Sequence, residues 1–290
     1  MVRRVSASQY KSQLRQLEQK HRQAVNNYNN AVRRVNTAIN DYNREARAHN
    51  ARVRRNQQRL RQELSSLQSR PGVSTRHVTY RASVDKLHRS FVRVESAAAV
   101  SEWQRSDDLL DLAEGETANS VAVLNALAHP TADEVDDASL RATAITDELE
   151  SIDPDLNARW LGALYALNPR NPDAARHFCT SSREILVRMV DSSASDAAVI
   201  AADPAAEKTP EGNVSRRARI RYCLRRRGSD EAELVDFVEA DIENVVALFS
   251  EFNHGTHGTA GRFSISQLRA LKTRVEQAIQ FLHRVVADGR

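Results

Sequence analysis

Residues 6–68 contain neither glycine nor proline, and this uninterrupted stretch constrains the fold more than any other part of the chain. Its apolar or bulky residues recur mostly in alternating steps of three and four, the spacing of a coiled-coil seam. The seam consists of Tyr10, Leu14, Leu17, His21, Val25, Tyr28, Val32, Val35, Ile39, Tyr42, Ala46, His49, Val53, Leu60, Leu64 and Leu67. We expect one helix of about 90 Å that cannot fold back on itself. Such a helix needs a partner, most simply a second copy, so a homo-oligomer through residues 6–68 is predicted.

The charge of this region is lopsided. Residues 1–70 hold 16 Lys and Arg against 4 Asp and Glu, whereas the net charge of all 290 residues is only +4. Two interpretations are open: a solvated coiled-coil surface, or an arm that follows nucleic-acid phosphates, because so uneven a charge repels itself unless it is neutralised. The second interpretation assigns nucleic-acid contacts to the outer face of the helix. That face carries Arg33, Arg34, Arg52, Arg54, Arg55, Arg59 and Arg61.

Several classes of protein are excluded by simple counts. Two cysteines in separate segments do not make a disulfide scaffold or a paired-cysteine metal site, and they fit a reducing cytoplasm. No apolar run approaches the roughly 20 residues of a membrane span, and the N-terminus lacks the apolar core of a signal peptide. We therefore expect a cytoplasmic protein without a membrane partner. Nucleotide-binding glycine motifs and a nucleophile elbow are also absent from the sequence.

The rest of the chain predicts further helices after a stop at residues 70–72. A short extended piece is expected at 73–81 and a loop or insertion at 193–213. Helices are expected at about 82–104, 106–128, 137–150, 155–167, 172–190, 215–227, 230–252 and 265–286, with Ser264 capping the last. The predicted fold is all-α, a long N-terminal coiled-coil helix followed by a helical-bundle domain. We divide it into a basic coiled-coil helix (1–70), connecting helices (71–130) and the bundle (131–290).

The loop "NHGTHGTAG" at 253–261 holds three of the nine glycines and two of the nine histidines of the chain. One interpretation is a tight connection in which His254 and His257 cap the helix ends. The other is a catalytic loop, with His257 as general acid/base, since an unperturbed imidazole pKa near ~6.5 suits proton transfer at neutral pH. Asn253 would then orient the substrate or the loop.

An anionic transition state also needs a cation. Arg176 and Arg183 are seven residues apart and share one face of the helix at 172–190, with His177 beside them. They are candidate catalytic residues, and the alternative is a surface salt-bridge face. A zinc site is a further alternative, in which His254 and His257 are joined by His177, Cys179 or Glu251. No complete ligand set is evident, so no cofactor is predicted, and a divalent metal ion remains an open option.

The helix at 215–227 is intensely basic. It carries Arg216, Arg217, Arg219, Arg221, Arg225, Arg226 and Arg227. So many arginines in one helix indicate an acidic partner. That partner is either the acidic helix at 230–243 that follows it, or nucleic acid.

Several segments together resemble a family of bacterial proteins, the predicted PIWI-associating nucleases. They are "NNYNNAVRRVNTAINDYNREARAHNARVRRNQQRL", "ARWLGALYALNPRNPDAARHFCTSSREIL", "GNVSRRARIRY", "DFVEADIENVV" and "FNHGTHGTAGRF". The resemblance implies a role in defence against invading genetic elements, with a defence-system partner protein. The C-terminal body also resembles HEPN ribonuclease domains, which are all-α and often dimeric. "FNHGTHG" is similar to the Asn, Gly and His part of their catalytic element.

The chain departs from the HEPN pattern at one place, because no arginine shortly precedes His257; Glu251 and Phe252 stand there instead. Either Arg176 or Arg183 replaces it in space, or the domain is inactive. The first functional hypothesis is a defence effector that cleaves nucleic acid, RNA rather than DNA, as a phosphodiester hydrolase or transesterase. The second is a non-enzymatic coiled-coil sensor or adaptor that binds nucleic acid or a partner protein. The third is a structural oligomer.

Overall fold

The structure, a computed structural model, describes residues 6–68, 75–98, 107–128, 138–168, 170–229, 231–254 and 264–287. Within these ranges it contains eleven α-helices and, apart from an isolated bridge between Lys208 and Val214, no β-structure. The helices are α1 (Ala7–Gln68), α2 (Thr75–Ala98), α3 (Asp107–Ala128), α4 (Ala138–Arg141), α5 (Thr146–Ile152), α6 (Pro154–Ala166), α7 (Ala174–Ser193), α8 (Asp196–Ala202), α9 (Arg216–Arg226), α10 (Ala232–His254) and α11 (Ile265–Ala287). The all-α prediction, with a long N-terminal helix before a helical body, is confirmed.

Side-chain caps account for several helix starts. Ser215 and Ser264 accept hydrogen bonds from the backbone N–H groups of Ala218 (3.1 Å) and Gln267 (3.2 Å), at the first turns of α9 and α11. Gln267 Oε1 in turn accepts from the N–H of Ser264 at 3.0 Å, which completes a capping box. The cap predicted at Ser264 is confirmed.

Four local predictions differ from the structure. Helix α2 already begins at Thr75, so the extended piece expected at 73–81 is wrong over residues 75–81. The single helix expected at 137–150 is divided into α4 and α5, and the loop expected at 193–213 contains α8. Helix α7 begins at Ala174 and not at 172, because the Asn171 side chain accepts from the N–H of Asp173 (3.0 Å) and forms a turn there.

The chain divides into two compact units, residues 1–54 and residues 55–290. In the first unit, the described seam residues of α1 lie in solvent. Nine large apolar side chains there are 39–70% exposed: Tyr10, Leu14, Leu17, Val25, Tyr28, Val32, Val35, Ile39 and Tyr42. The division predicted from sequence, at 70 and 130, stays a prediction.

The second unit is a helical bundle with one apolar core. Helix α10 packs against α2, α7, α9 and α11, and α11 packs in addition against α3 and α5. Aromatic pairs fill the centre, with ring centroids 5.5 Å apart for Trp160 and Phe178 and 6.0 Å for Phe237 and Phe281. The two helices that flank the histidine loop are therefore both packed against several other helices of the bundle.

Candidate active site and nucleic-acid interface

The histidine loop connects α10 to α11. Asn253 lies in the last turn of α10, and the first residue described after the loop is Ser264. His257 lies outside the described residues. Its proposed pairing with Arg176 or Arg183 therefore stays a prediction, as does the zinc site that would use His254 and His257.

Helix α7 turns its three candidate catalytic residues outward. Arg176, His177 and Arg183 are exposed, while the opposite face buries Phe178, Ile185, Leu186 and Met189, as predicted. Neither arginine forms an ion pair with another described residue. A salt-bridge face does exist nearby, but it joins Arg159 of α6 to Glu184 at 3.1 Å. The α7 arginines thus remain available for an anionic ligand.

Helix α9 divides its arginines between the protein and the solvent. Arg217 binds Asp236 (2.5 Å) and Glu239 (2.8 Å) of α10, and Arg219 binds Asp196 and, at 3.3 Å, Asp191. These two have their acidic partners within the chain, so the structure gives them a packing role.

The other candidate nucleic-acid ligands are placed differently. Arg216 and Arg221 are partly exposed and make no ion pair within the described part of the chain. In α1, the side chains of Arg54 and Arg55 are exposed, and Arg54 Nε donates to the carbonyl of Asn50 at 3.1 Å. Arg52 lies in the same helix. The assignment of Arg54, Arg55, Arg216 and Arg221 to nucleic-acid contacts stays a prediction.

The structure contains a cavity of about 310 Å³ that the sequence did not predict. It lies between the C-terminal part of α1, α3 and the first half of α11. Its polar lining consists of Arg59, Asn119, Ser266, Arg269, Thr273 and Gln277, and alanine and valine side chains form the rest. Arg59 of α1 and Arg269 of α11 thus face a common concave surface, and α11 directly follows the histidine loop.

Beneath this cavity a chain of hydrogen bonds runs into the core. Arg59 Nη2 donates to Asn119 Oδ1 (3.0 Å), and Asn119 Nδ2 donates to Glu116 Oε2 (3.1 Å). Arg274 then donates from Nη1 to Glu116 Oε1 and from Nη2 to Asp241 Oδ1 (2.7 Å). Because these three charged side chains are only 0–2% exposed, Arg274 ties α3, α10 and α11 together from within.

The buried cluster contains two carboxyl groups and one guanidinium. Burial raises the pKa of Asp241 well above its ordinary value, the nearby Glu116 raises it further, and Arg274 opposes the rise. The rise favours the neutral form of the Asp241 carboxyl within this cluster. The sequence did carry a signal for it, since Glu116, Asp241 and Arg274 are charged residues at buried, apolar-face positions of their helices.

Metal binding gains no support within the described residues, where no group of three or more His, Cys, Asp or Glu is placed to hold an ion. Cys179, considered as a zinc ligand, is buried in the core, and its burial raises the pKa of the thiol. Burial likewise raises the pKa of Cys223, to about 11. Both thiols are protonated at neutral pH, and a zinc ligand has to be a thiolate.

Comparison with known proteins gives one match. Residues 149–282 match a family model described as "Predicted pPIWI-associating nuclease", which confirms the resemblance to this family. The all-α body is also consistent with the HEPN resemblance. No curated protein and no solved structure matches the chain. The matched segment includes the histidine loop, Asp241, Arg269 and Arg274. Of the helices in the described ranges, none has the length and apolar character needed to cross a membrane.

Proposed function

We propose that this chain, whose residues 149–282 belong to the predicted pPIWI-associating nuclease family, is a cytoplasmic nuclease that cleaves RNA in preference to DNA. It acts in defence against invading genetic elements, together with a partner protein of the kind that the family name indicates. The observation that carries the proposal is the anchoring of α10 and α11. The loop joins these two helices, and Arg274 of α11 pairs with Asp241 of α10 and with Glu116 of α3.

Catalysis needs side chains that are held in place by a rigid scaffold. In the proposed mechanism, His257 takes a proton from the attacking hydroxyl or gives one to the leaving oxygen, and Asn253 orients the substrate. Arg176 or Arg183, with His177, stabilises the charge that develops on the phosphoryl oxygens. On RNA, the 2′-hydroxyl loses its proton and attacks phosphorus while the bond to the 5′-oxygen breaks. The 5′-oxygen gains a proton, so the products carry a 2′,3′-cyclic phosphate and a 5′-hydroxyl. A histidine can catalyse this transesterification without a metal ion, whereas hydrolysis assisted by a divalent ion leaves a different end group.

Self-association through α1 is part of the proposal. The nine exposed apolar side chains recur on one stripe, which is the pattern of an a/d seam. Within the first unit, none of these nine side chains is buried against another described residue. A second copy of α1 would bury this stripe. Sedimentation of the full chain tests the idea by comparing two variants. Val35→Asp places a charge in the seam, and Arg34→Gln is the control, because it changes the charge outside the seam. A wild type that sediments as a monomer at micromolar concentration would exclude self-association.

A direct cleavage assay tests the catalytic part. End-labelled RNA and DNA of one sequence are incubated with the wild type, with His257→Ala, and with His88→Ala as a matched control on α2. We expect RNA to be cut faster than DNA, His257→Ala to be inactive, and the control to be active. Mass analysis of the ends, with and without a chelator, separates transesterification from metal-assisted hydrolysis. Cleavage by His257→Ala at the wild-type rate contradicts this site.

The second function, a non-enzymatic sensor or adaptor, is favoured by one specific observation. Arg54, Arg55, Arg216 and Arg221 are at least partly exposed and form no ion pair with any described residue. Arginines of this kind bind phosphates through a salt-dependent term. Tight RNA binding that weakens steeply with salt, without cleavage at any metal concentration, would support this function in place of the first.

A further inference from the structure

We propose that the cavity between α1, α3 and α11 binds the phosphate backbone of a nucleic-acid strand through Arg59 and Arg269. This inference rests on the proposed function only for the identity of the ligand as a nucleic acid. The cavity itself is defined by its donors, its charge and its shape.

Two arginines, Arg59 and Arg269, supply hydrogen-bond donors to the cavity. Arginine presents five N–H groups in a planar fork that matches the oxygens of a phosphate. Arg269 Nε is buried and has no acceptor in the part of the chain that the structure describes. A buried donor without an acceptor is energetically unfavourable, so this position favours a ligand that can accept a hydrogen bond. Arg59 donates one hydrogen bond to Asn119, which orients its guanidinium at the cavity wall while other N–H groups stay available.

The charge favours an anion. No described residue that lines the cavity is acidic, so the two guanidinium charges are not neutralised at its surface. The nearest acid in the hydrogen-bond chain is Glu116, and Arg274 pairs with it from the core side. In the same cluster, burial raises the pKa of Asp241. The field of Arg59 and Arg269 therefore reaches the cavity.

The start of α11 adds to this field. Ser266 lies in the first turn of α11, at the positive end of the helix dipole, and Arg269 lies in the next turn. Ser266 and Thr273 supply hydroxyl donors along the same wall.

The shape indicates a strand more than a lone ion. The lining of α11 runs from Ser266 to Gln277, which is about 16 Å along a helix. The volume of about 310 Å³ is close to the lower end for organic-ligand pockets and much exceeds the space that one phosphate ion needs. The small side chains of Ala122, Ala126 and Ala270 are part of the lining, which leaves room for a sugar-phosphate backbone beside the two arginines.

Equilibrium binding of a fluorescent single-stranded RNA to the full-length protein tests the proposal. All proteins carry His257→Ala, so that binding is measured without cleavage. Arg269→Gln and Arg59→Gln are each compared with Arg89→Gln, which removes one exposed charge on α2. We expect each cavity variant to bind about tenfold more weakly and the control to bind less than twofold more weakly. Each cavity variant should also lower the slope of log K against log salt by about 1.

A second variant guards against misfolding. Ala270→Glu removes no hydrogen bond and places a carboxylate at the cavity wall, so it should weaken binding at least as much as Arg269→Gln. Its helix content and melting temperature show whether the fold is retained. If millimolar inorganic phosphate or a mononucleotide displaces the fluorescent RNA as well as an unlabelled oligonucleotide does, the cavity binds a small anion. That result would overturn the proposal for a strand. RNA binding that none of the three variants changes overturns it outright.

The two proposals fail separately. If cleavage depends on His257 but the KM is unchanged in Arg59→Gln and Arg269→Gln, the result supports the proposed nuclease activity and refutes strand binding in the cavity. Binding that depends on both arginines without cleavage supports the cavity and refutes the nuclease.

Discussion

Replacing Arg274 by methionine is the most informative perturbation of the bundle. The side chain is fully buried, and its two partners, Glu116 and Asp241, are 2% and 1% exposed. Methionine has a similar length and fits an apolar site, so the substitution removes the charge with little loss of volume. It leaves two carboxyl groups in the core without their cation.

The size of the effect follows from this geometry. Removing one partner of a buried ion pair costs about 3–5 kcal/mol, because the group left behind stays desolvated. The second unit comprises residues 55–290. In a domain of this size, about 1 kcal/mol shifts Tm by roughly 2–4 °C. We therefore expect Arg274→Met to lower Tm by about 6–20 °C at neutral pH.

Thermal and urea unfolding followed by circular dichroism measure the loss. A triple variant, Arg274→Met with Glu116→Gln and Asp241→Asn, has the same shape without the buried charges and should recover most of the stability. A loss below about 1 kcal/mol in the single variant, or a triple variant no more stable than it, would refute the reasoning. Either result would mean that the cluster is not held by charge pairing.

Three other predictions concern titration, reactivity and capping. Because burial raises the pKa of Asp241 in the folded state, the folded state binds more protons than the unfolded state. The Asp241 contribution to the free energy of unfolding is therefore present at about pH 4 and below, and it is lost as pH rises through the raised pKa. Asp241→Asn should flatten this part of the pH dependence of stability, measured by urea denaturation, and an unchanged profile would contradict the assignment. Cys179 and Cys223 are buried and protonated, so a disulfide reagent should react with them slowly in the native protein and rapidly in urea. Fast reaction of either thiol in the native protein would show that the thiol is not buried. Ser215→Ala removes the cap of α9 and should cost about 1 kcal/mol by urea denaturation; no measurable loss would mean that the cap contributes nothing to stability.

Much of the fold could be predicted because it is encoded locally. The seam over residues 6–68 predicts α1 with its observed end near Gln68, and the apolar spacing at 106–128 predicts α3. The division between α4 and α5 could not be predicted in this way. Thr143 accepts a hydrogen bond from Trp160 Nε1 (2.8 Å), a contact made 17 residues away, and no helical periodicity encodes it.

The site was harder to predict for a similar reason. Arg59 had the pattern of an outer-face residue of the coiled coil, and Arg269 that of an ordinary surface position. The bundle brings them to one cavity although more than 200 residues separate them. The charges on the buried faces of α3, α10 and α11 were the usable signal, because a charged residue there requires a partner from another helix. Arg217 shows the same effect in α9, where an arginine predicted to bind nucleic acid pairs with Asp236 and Glu239.

We propose a division of roles at the α10–α11 connection, in which His257 in the loop carries out the chemistry and Arg269 near the start of α11 binds the substrate. Single-turnover cleavage of RNA, measured with the RNA dissociation constant in the same variants, tests it most directly. His257→Ala should abolish cleavage and keep the dissociation constant within about twofold of the wild type. Arg269→Gln should weaken binding about tenfold and keep most of the cleavage rate at saturating RNA. A wild-type rate in His257→Ala, or unchanged binding in Arg269→Gln, would contradict this division of roles.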